Sequence, residues 1–250
     1  MVKKAGGIPI VRGNCPQSAM MYHTVNDVWG GVAKNPLDHE RSCGGSSGGD
    51  GGLIVSRCVP LGFGSDIGGS LRYPAAFCGI YSLKPTSSRV SDMGVSAPTQ
   101  IRFESFQHLK AVAGPMANSV EGLVLSMKAI LDKDVHRHDP FQYPSAFNIV
   151  KYNAARDPKN FKNMKIGMLD ESPFAPVSDA MSRAMLTTET ALKELGFEVV
   201  KFSFGDEFWD EIRKMYICMF FNEPGKKLID NFINEGESPV KQFSENFHLL

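Results

Sequence analysis

Two glycine-rich strings, each presenting a serine, constrain this chain more than any other feature. Gly44-Gly45-Ser46-Ser47-Gly48-Gly49 and Asp66-Ile67-Gly68-Gly69-Ser70-Leu71-Arg72-Tyr73-Pro74-Ala75 enclose an apolar run of Leu53, Ile54, Val55, Val59 and Leu61. Flexible linkers are also rich in Gly and Ser, but they carry no such apolar run. Glycine accepts positive φ and lets backbone approach closely, so such loops can aim N–H groups at a reacting carbonyl. A phosphate cradle is the other use of a glycine-rich loop, but it needs Lys and then Ser or Thr after the last Gly. Here Asp50 follows Gly49, and a carboxylate repels phosphate. Two serines on two such loops point to acyl transfer.

The segment resembles the signature region of the amidase signature family of serine hydrolases. The likeness continues through Gly79-Ile80-Tyr81-Ser82-Leu83-Lys84-Pro85-Thr86, Gly114-Pro115-Met116-Ala117-Asn118-Ser119 and Lys165-Ile166-Gly167-Met168-Leu169. It implies Ser70 as the acylated nucleophile and Ser46 as a bridging serine on a cis peptide bond. It also implies an oxyanion hole made by the amides of Ile67, Gly68, Gly69 and Ser70. Ser47, Asp66 and Arg72 are then structural support, with Asp66 and Arg72 open to direct substrate contact as well. The implied fold is α/β, a mixed central sheet with helices on both faces, and the chemistry needs neither cofactor nor metal. Val55 departs from the Gly or Ala usual at its place, which implies altered packing behind the loop.

Within the family, Asn14-Cys15-Pro16-Gln17-Ser18, Phe77-Cys78-Gly79 and the stretch Phe220 to Asn234 resemble the fatty-acid amide hydrolase branch. By that likeness Met20, or Ala19 if the alignment shifts by one, lines an acyl pocket. The alternative is that Met20 and Met21 fill a gap in the core, as the unbranched thioether readily does. The implied partner is a small-molecule acyl amide, with a membrane surface as a further partner of the complete protein.

A serine hydroxyl needs a neighbouring base. The resemblance implies a neutral lysine upstream, in a Gly-x-Pro-x-x-x-Lys-Asp context. Gly7-Ile8-Pro9 is instead followed by Ile10, Val11, Arg12 and Gly13. Lys3 and Lys4 read as solvated residues at the end of a helix preceding a strand at Ile8 to Val11. His23, His39, His108, His136, His138 and His248 have no context tying them to the serine loops, and Lys84 reads as structural. Ser238-Pro239-Val240-Lys241 has the Ser-x-x-Lys spacing of penicillin-binding proteins without their companion motifs. Two expectations follow: an amidase whose lysine is absent from these residues, or a non-catalytic or weakly active chain that retains an acyl pocket. Residues 1–250 read as one partial amidase signature domain.

Lysine plus arginine and aspartate plus glutamate each number 27, so the basic stripe of a nucleic-acid binder is missing. The five cysteines, Cys15, Cys43, Cys58, Cys78 and Cys218, show neither C-x-x-C nor zinc spacing, which reads as reduced thiols in an intracellular setting, cytoplasmic or peripheral to a membrane. Cys43, beside the first loop, is either packing or a thiol-reagent target. Oligomeric state is not legible.

Hydrophobic spacing predicts a short helix at Ser18 to Tyr22, a helix opening near Gly49 and a buried strand from Pro60 to Gly64 that ends at the second loop. That order puts the site at the carboxyl end of a strand, where open α/β sheets bind ligands. Ser119 to Leu131 has helical spacing, and Asp139 to Lys162 reads as a polar surface connection. Lys165 to Leu169, a helix capped by Ser178 and stopped at Gly196, and Phe197 to Phe204 form a β-α-β unit, expected to extend the central sheet.

Overall fold

The computed structural model describes residues 2–26, 28, 30–95, 109–131, 135–161, 164–169 and 176–221. His108, His248, Ser238 to Lys241 and nearly all of Phe220 to Asn234 lie outside these residues. Two compact units are present, one containing Met1–Phe147 and the other Asn148–Met219.

In the first unit, β1 (Val25–Asn26) pairs antiparallel with β2 (Gly31–Val32), and β3 (Lys34–Asn35) with β4 (Asp38–Ser42). Helix α1 (Gly48–Val55) leads to β5 (Leu61–Asp66), followed by α2 (Arg72–Cys78), β6 (Tyr81–Ser82), β7 (Val112–Ala117) and α3 (Val120–Leu131). Strand β7 lies between β5 and β6 and is antiparallel to both, with Leu61 opposite Ala117 and Asp66 opposite Val112.

Helix α1 reads Gly-Gly-Asp-Gly-Gly-Leu-Ile-Val. Each glycine costs an isolated helix about 1 kcal/mol relative to alanine, so this helix depends on what surrounds it. The reason glycine is required is clearest at Gly49, where a Cβ would collide with the backbone of Asn14. The apolar end of α1 supplies Ile54 to a core with Val59, Leu71 and Met116, flanked by Leu53 and Ile80. Leu71 follows the second serine directly and is fully buried, so the core holds that loop from its downstream side. A second core cluster joins Val90 to Met127, Ile130 and Leu131 of α3.

The second unit contains α4 (Ile149–Ala154), β8 (Lys165–Met168), α5 (Asp179–Glu194), β9 (Glu198–Lys201) and α6 (Asp206–Phe221). The β-α-β reading is realised: β8 and β9 are parallel, the Ser178 side chain accepts the Met181 N–H at 3.4 Å, and Gly196 ends the helix at φ +87°. Among the described residues this pair forms a two-stranded sheet of its own, so the expected extension of the central sheet is not seen. The apolar face of α5 is half-buried at Met185 and Leu192 and exposed at Met181 and Leu195.

Three further expectations need correction. Ile8 to Val11 is not a strand; it has no ladder partner among the described residues, and Ile8 and Ile10 are exposed. Ser18 to Tyr22 is not a helix but a single 3₁₀ turn at Gln17–Ala19, because Ser18 and Ala19 take φ of +60° and +56°, which a right-handed helix does not allow. Asp139 to Lys162 is not all surface: Asp139 and Gln142 are buried, with Asp139 accepting from Ser91 Oγ and Phe141 N–H. No helix among the described residues is long and apolar enough to cross a membrane.

Leu71→Ala should lower unfolding free energy by about 2–5 kcal/mol, read as a lower urea midpoint at unchanged m-value. A loss under about 1 kcal/mol would contradict its anchoring role.

Candidate active site

Strand β5 ends at Asp66, whose carboxylate organises the loop that follows. It is fully buried. Its Oδ1 accepts the Gly69 N–H at 2.8 Å and Arg72 Nη2 at 3.0 Å, while its Oδ2 accepts the Leu71 N–H at 3.1 Å, the Arg72 N–H at 3.4 Å and Arg72 Nε at 3.0 Å. Burial alone raises the pKa of such a group, but hydrogen bonds from Arg72, Gly69 and Leu71 outweigh it and hold the carboxyl below its usual range. Gly69 sits at φ +125°, with the Tyr73 ring where a Cβ would project. Any other residue there would be strained and would displace that ring.

Ser70 is half-buried, whereas Ser46 is 3% exposed. The Gly45–Ser46 peptide is cis, as the family resemblance implied. The loops are joined through Ser47, whose N–H donates to Ser70 O at 3.1 Å. The Ser47 hydroxyl also accepts the Ser65 N–H at 3.2 Å and donates to Ser65 O at 3.4 Å. Ser47 thus ties the first loop to β5 and to the residue proposed as nucleophile.

Of the four amides expected at the oxyanion hole, that of Gly69 is engaged by Asp66. The N–H groups of Ile67, Gly68 and Ser70 have no hydrogen-bond acceptor among the described residues. Met21 is buried and Met20 half-buried, so Met21 takes the core-filling place and Met20 keeps exposed surface. Tyr22 and Tyr73 meet edge to face, their centroids 5.8 Å apart, and link this segment to the second loop.

Cys43 and Cys78 are both buried beside the loops, and Cys78 Sγ lies 3.7 Å from Cys43 O. The neighbouring Cys43 thiol, reinforced by burial, pushes the Cys78 thiol upward. Cys43, at 1% exposure, is packed rather than open to reagents. No group of three or more potential metal ligands occurs among the described residues. His23 is exposed, although its backbone passes beside Gly45, and Lys84 is exposed. Sequence reasoning missed Thr24, which is fully buried against the first loop; a lone threonine in a polar stretch gives no periodic signal.

Residues 1–245 match the family described as Amidase. The chain belongs to the amidase family. It is 34% identical to the vitamin D3 hydroxylase-associated protein of Gallus gallus over 250 residues, covering 100% of this chain and 51% of that protein. It is also 34% identical to fatty-acid amide hydrolase 1 of Sus scrofa over 232 residues, covering 93% of this chain and 38% of that protein. A solved fatty acid amide hydrolase structure superposes with a TM-score of 0.73 at 32% identity, covering 87% of this chain and 37% of that one. A 6-aminohexanoate cyclic dimer hydrolase, at TM-score 0.74 and 23% identity, shares the fold. The chain spans about half, or less, of the length of the curated relatives it matches, and its fold is the corresponding incomplete part of the amidase signature fold.

Asp66→Asn should cost about 1–3 kcal/mol, because the amide leaves part of the buried donor set of Gly69 and Leu71 without a full acceptor, while Arg72, whose side chain is 58% exposed, is resolvated. Since the folded pKa of Asp66 is depressed, its contribution is present above the ordinary carboxylate pKa and lost as pH falls through the folded value. The variant should therefore show a weaker acid-side loss of stability than wild type. An unchanged melting temperature would contradict this.

Asp50, in the first turn of α1, has the opposite sign. Burial raises its pKa to about 6, against backbone hydrogen bonding and the Arg12 charge, which lower it. Its stabilising contribution is full below the ordinary value of 3.8 and is lost as pH rises through about 6. Asp50→Asn should raise stability at pH 8 by about 1–3 kcal/mol, with the gain shrinking toward pH 4 in thermal melts. A gain independent of pH would contradict the assignment.

Proposed function

We propose that this chain carries the acyl-transfer machinery of a carboxamide hydrolase, with Ser70 as nucleophile and Ser46 as proton relay. The observation that carries the reading is the Ser47 N–H bond to Ser70 O, which joins the two serine loops. In the proposed reaction Ser70 Oγ attacks the amide carbonyl carbon and passes its proton to Ser46. The tetrahedral oxyanion is received by amides of the Ile67 to Ser70 turn. Collapse of that intermediate, with the relayed proton returned through Ser46 to the departing nitrogen, releases the amine and leaves an acyl-serine ester, which water then cleaves to the carboxylic acid and free Ser70. Each oxyanion donor of this kind contributes about 3 kcal/mol. The N–H groups of Ile67, Gly68 and Ser70, which have no acceptor among the described residues, are the ones available, and that of Gly69 contributes by holding the turn through Asp66. The base that accepts the proton from Ser46 is not assigned to any of these 250 residues.

The substrate class we infer is a small-molecule amide with a long acyl chain. Support comes from the 34% identity to fatty-acid amide hydrolase 1 of Sus scrofa and from Met20, which keeps accessible surface next to Met21, whose carbonyl lies beside Gly45. Both compact units are read as parts of a single amidase domain.

A fluorophosphonate probe should label the purified chain at Ser70 and leave Ser70→Ala unlabelled. Ser46→Ala should slow labelling by about 10²-fold or more, the scale of lost proton transfer. Equal labelling of wild type and Ser70→Ala would refute the nucleophile. A labelled chain that releases no amine from a long-chain acyl amide would instead indicate an acyl-binding, weakly active protein.

A further inference from the structure

We infer that Thr24 is a positioning residue for Ser46, an inference that rests on the hydrolase reading above. Thr24 is fully buried. Its Oγ1 lies 2.9 Å from Gly44 O and 3.3 Å from Ser46 O, sharing its one proton between the carbonyls on either side of Gly45. The same oxygen accepts the Gly48 N–H at 3.1 Å, and the Thr24 N–H donates to Gly44 O at 3.1 Å. One side chain thus fixes the first serine loop before, at and after Ser46. The contact explains a glycine as well, because a Cβ at Gly48 would occupy the place of Thr24 Oγ1.

The chemistry calls for such a clamp. A relaying hydroxyl must face the nucleophile on one side and a base on the other, and a displacement of about 1 Å costs on the order of 10²-fold in rate. The Ser46 loop is glycine on both flanks, so it has few side chains of its own to hold it. Buried carbonyls left without a donor also carry a desolvation penalty, so the hydroxyl of Thr24 and the loop conformation depend on each other. A valine at this position keeps the shape and removes the hydroxyl, whereas a serine keeps the hydroxyl and removes only a methyl group.

The test uses the full chain and a fluorophosphonate probe, with the rate constant of covalent labelling and the probe's apparent affinity measured separately. Thr24→Val should lower the rate constant about 10- to 100-fold with apparent affinity unchanged, and Thr24→Ser should stay within about threefold of wild type. If Thr24→Val is unfolded at the assay temperature, Thr24→Cys, which keeps the volume with a weaker donor, carries the same comparison. Equal losses in the valine and serine variants, or a folded valine variant that labels at the wild-type rate, would overturn the inference. Amide hydrogen exchange at Gly48 supplies an independent readout. It should accelerate in Thr24→Val while Gly69, held by Asp66, stays protected. Failure of wild type to label at Ser70 refutes the hydrolase reading; unchanged Gly48 exchange in the valine variant refutes the clamp.

Discussion

A buried carboxylate at the end of a strand organises the region around Ser70. Asp66 has no exposed surface, yet it stays ionised because Arg72 and successive backbone N–H groups fill its lone pairs. Burying a charge is tolerated only when its acceptor capacity is met in this way. In meeting it, the chain must turn so that the N–H groups of Gly69, Leu71 and Arg72 all point at the carboxylate. That turn leaves Ser70 at a partly open surface and drives Leu71 into the core.

The first serine loop is held by a different means. Instead of a charge, two hydroxyls and a backbone N–H secure it: the Ser47 hydroxyl bonds to β5, the Ser47 N–H donates to Ser70 O, and the Thr24 hydroxyl bonds to the carbonyls around Ser46. Hydroxyls suit this task because one oxygen both donates and accepts. They need close backbone approach, which explains the glycine content of α1 despite its cost to helix stability. The two cores beneath, around Ile54 and Leu71 and around Met127 and Ile130, give these polar contacts a rigid base.

Much of this was legible in the residues. The Ser178 cap and the Gly196 stop located α5 almost to the residue, since both are local backbone effects that need no distant partner. The serine loops were recognisable because their glycines and the apolar run between them admit few other folds. Ile8 to Val11 read as a strand because alternation of apolar residues reports propensity, whereas a strand exists only when another edge pairs with it. Asp139 read as surface because a carboxylate in a polar, proline-containing stretch is usually solvated, and only the folded chain supplies Ser91 as its donor.

The sequence by itself determined the family, because residue type and spacing around Ser46 and Ser70 are local properties of the chain. The resemblance already implied Ser47 and Asp66 as support for those serines, but tertiary structure alone brought in Thr24. Its hydroxyl reaches the first serine loop from a segment 20 or more residues away, and hydrogen-bond geometry of that kind leaves no periodic trace in the order of amino acids.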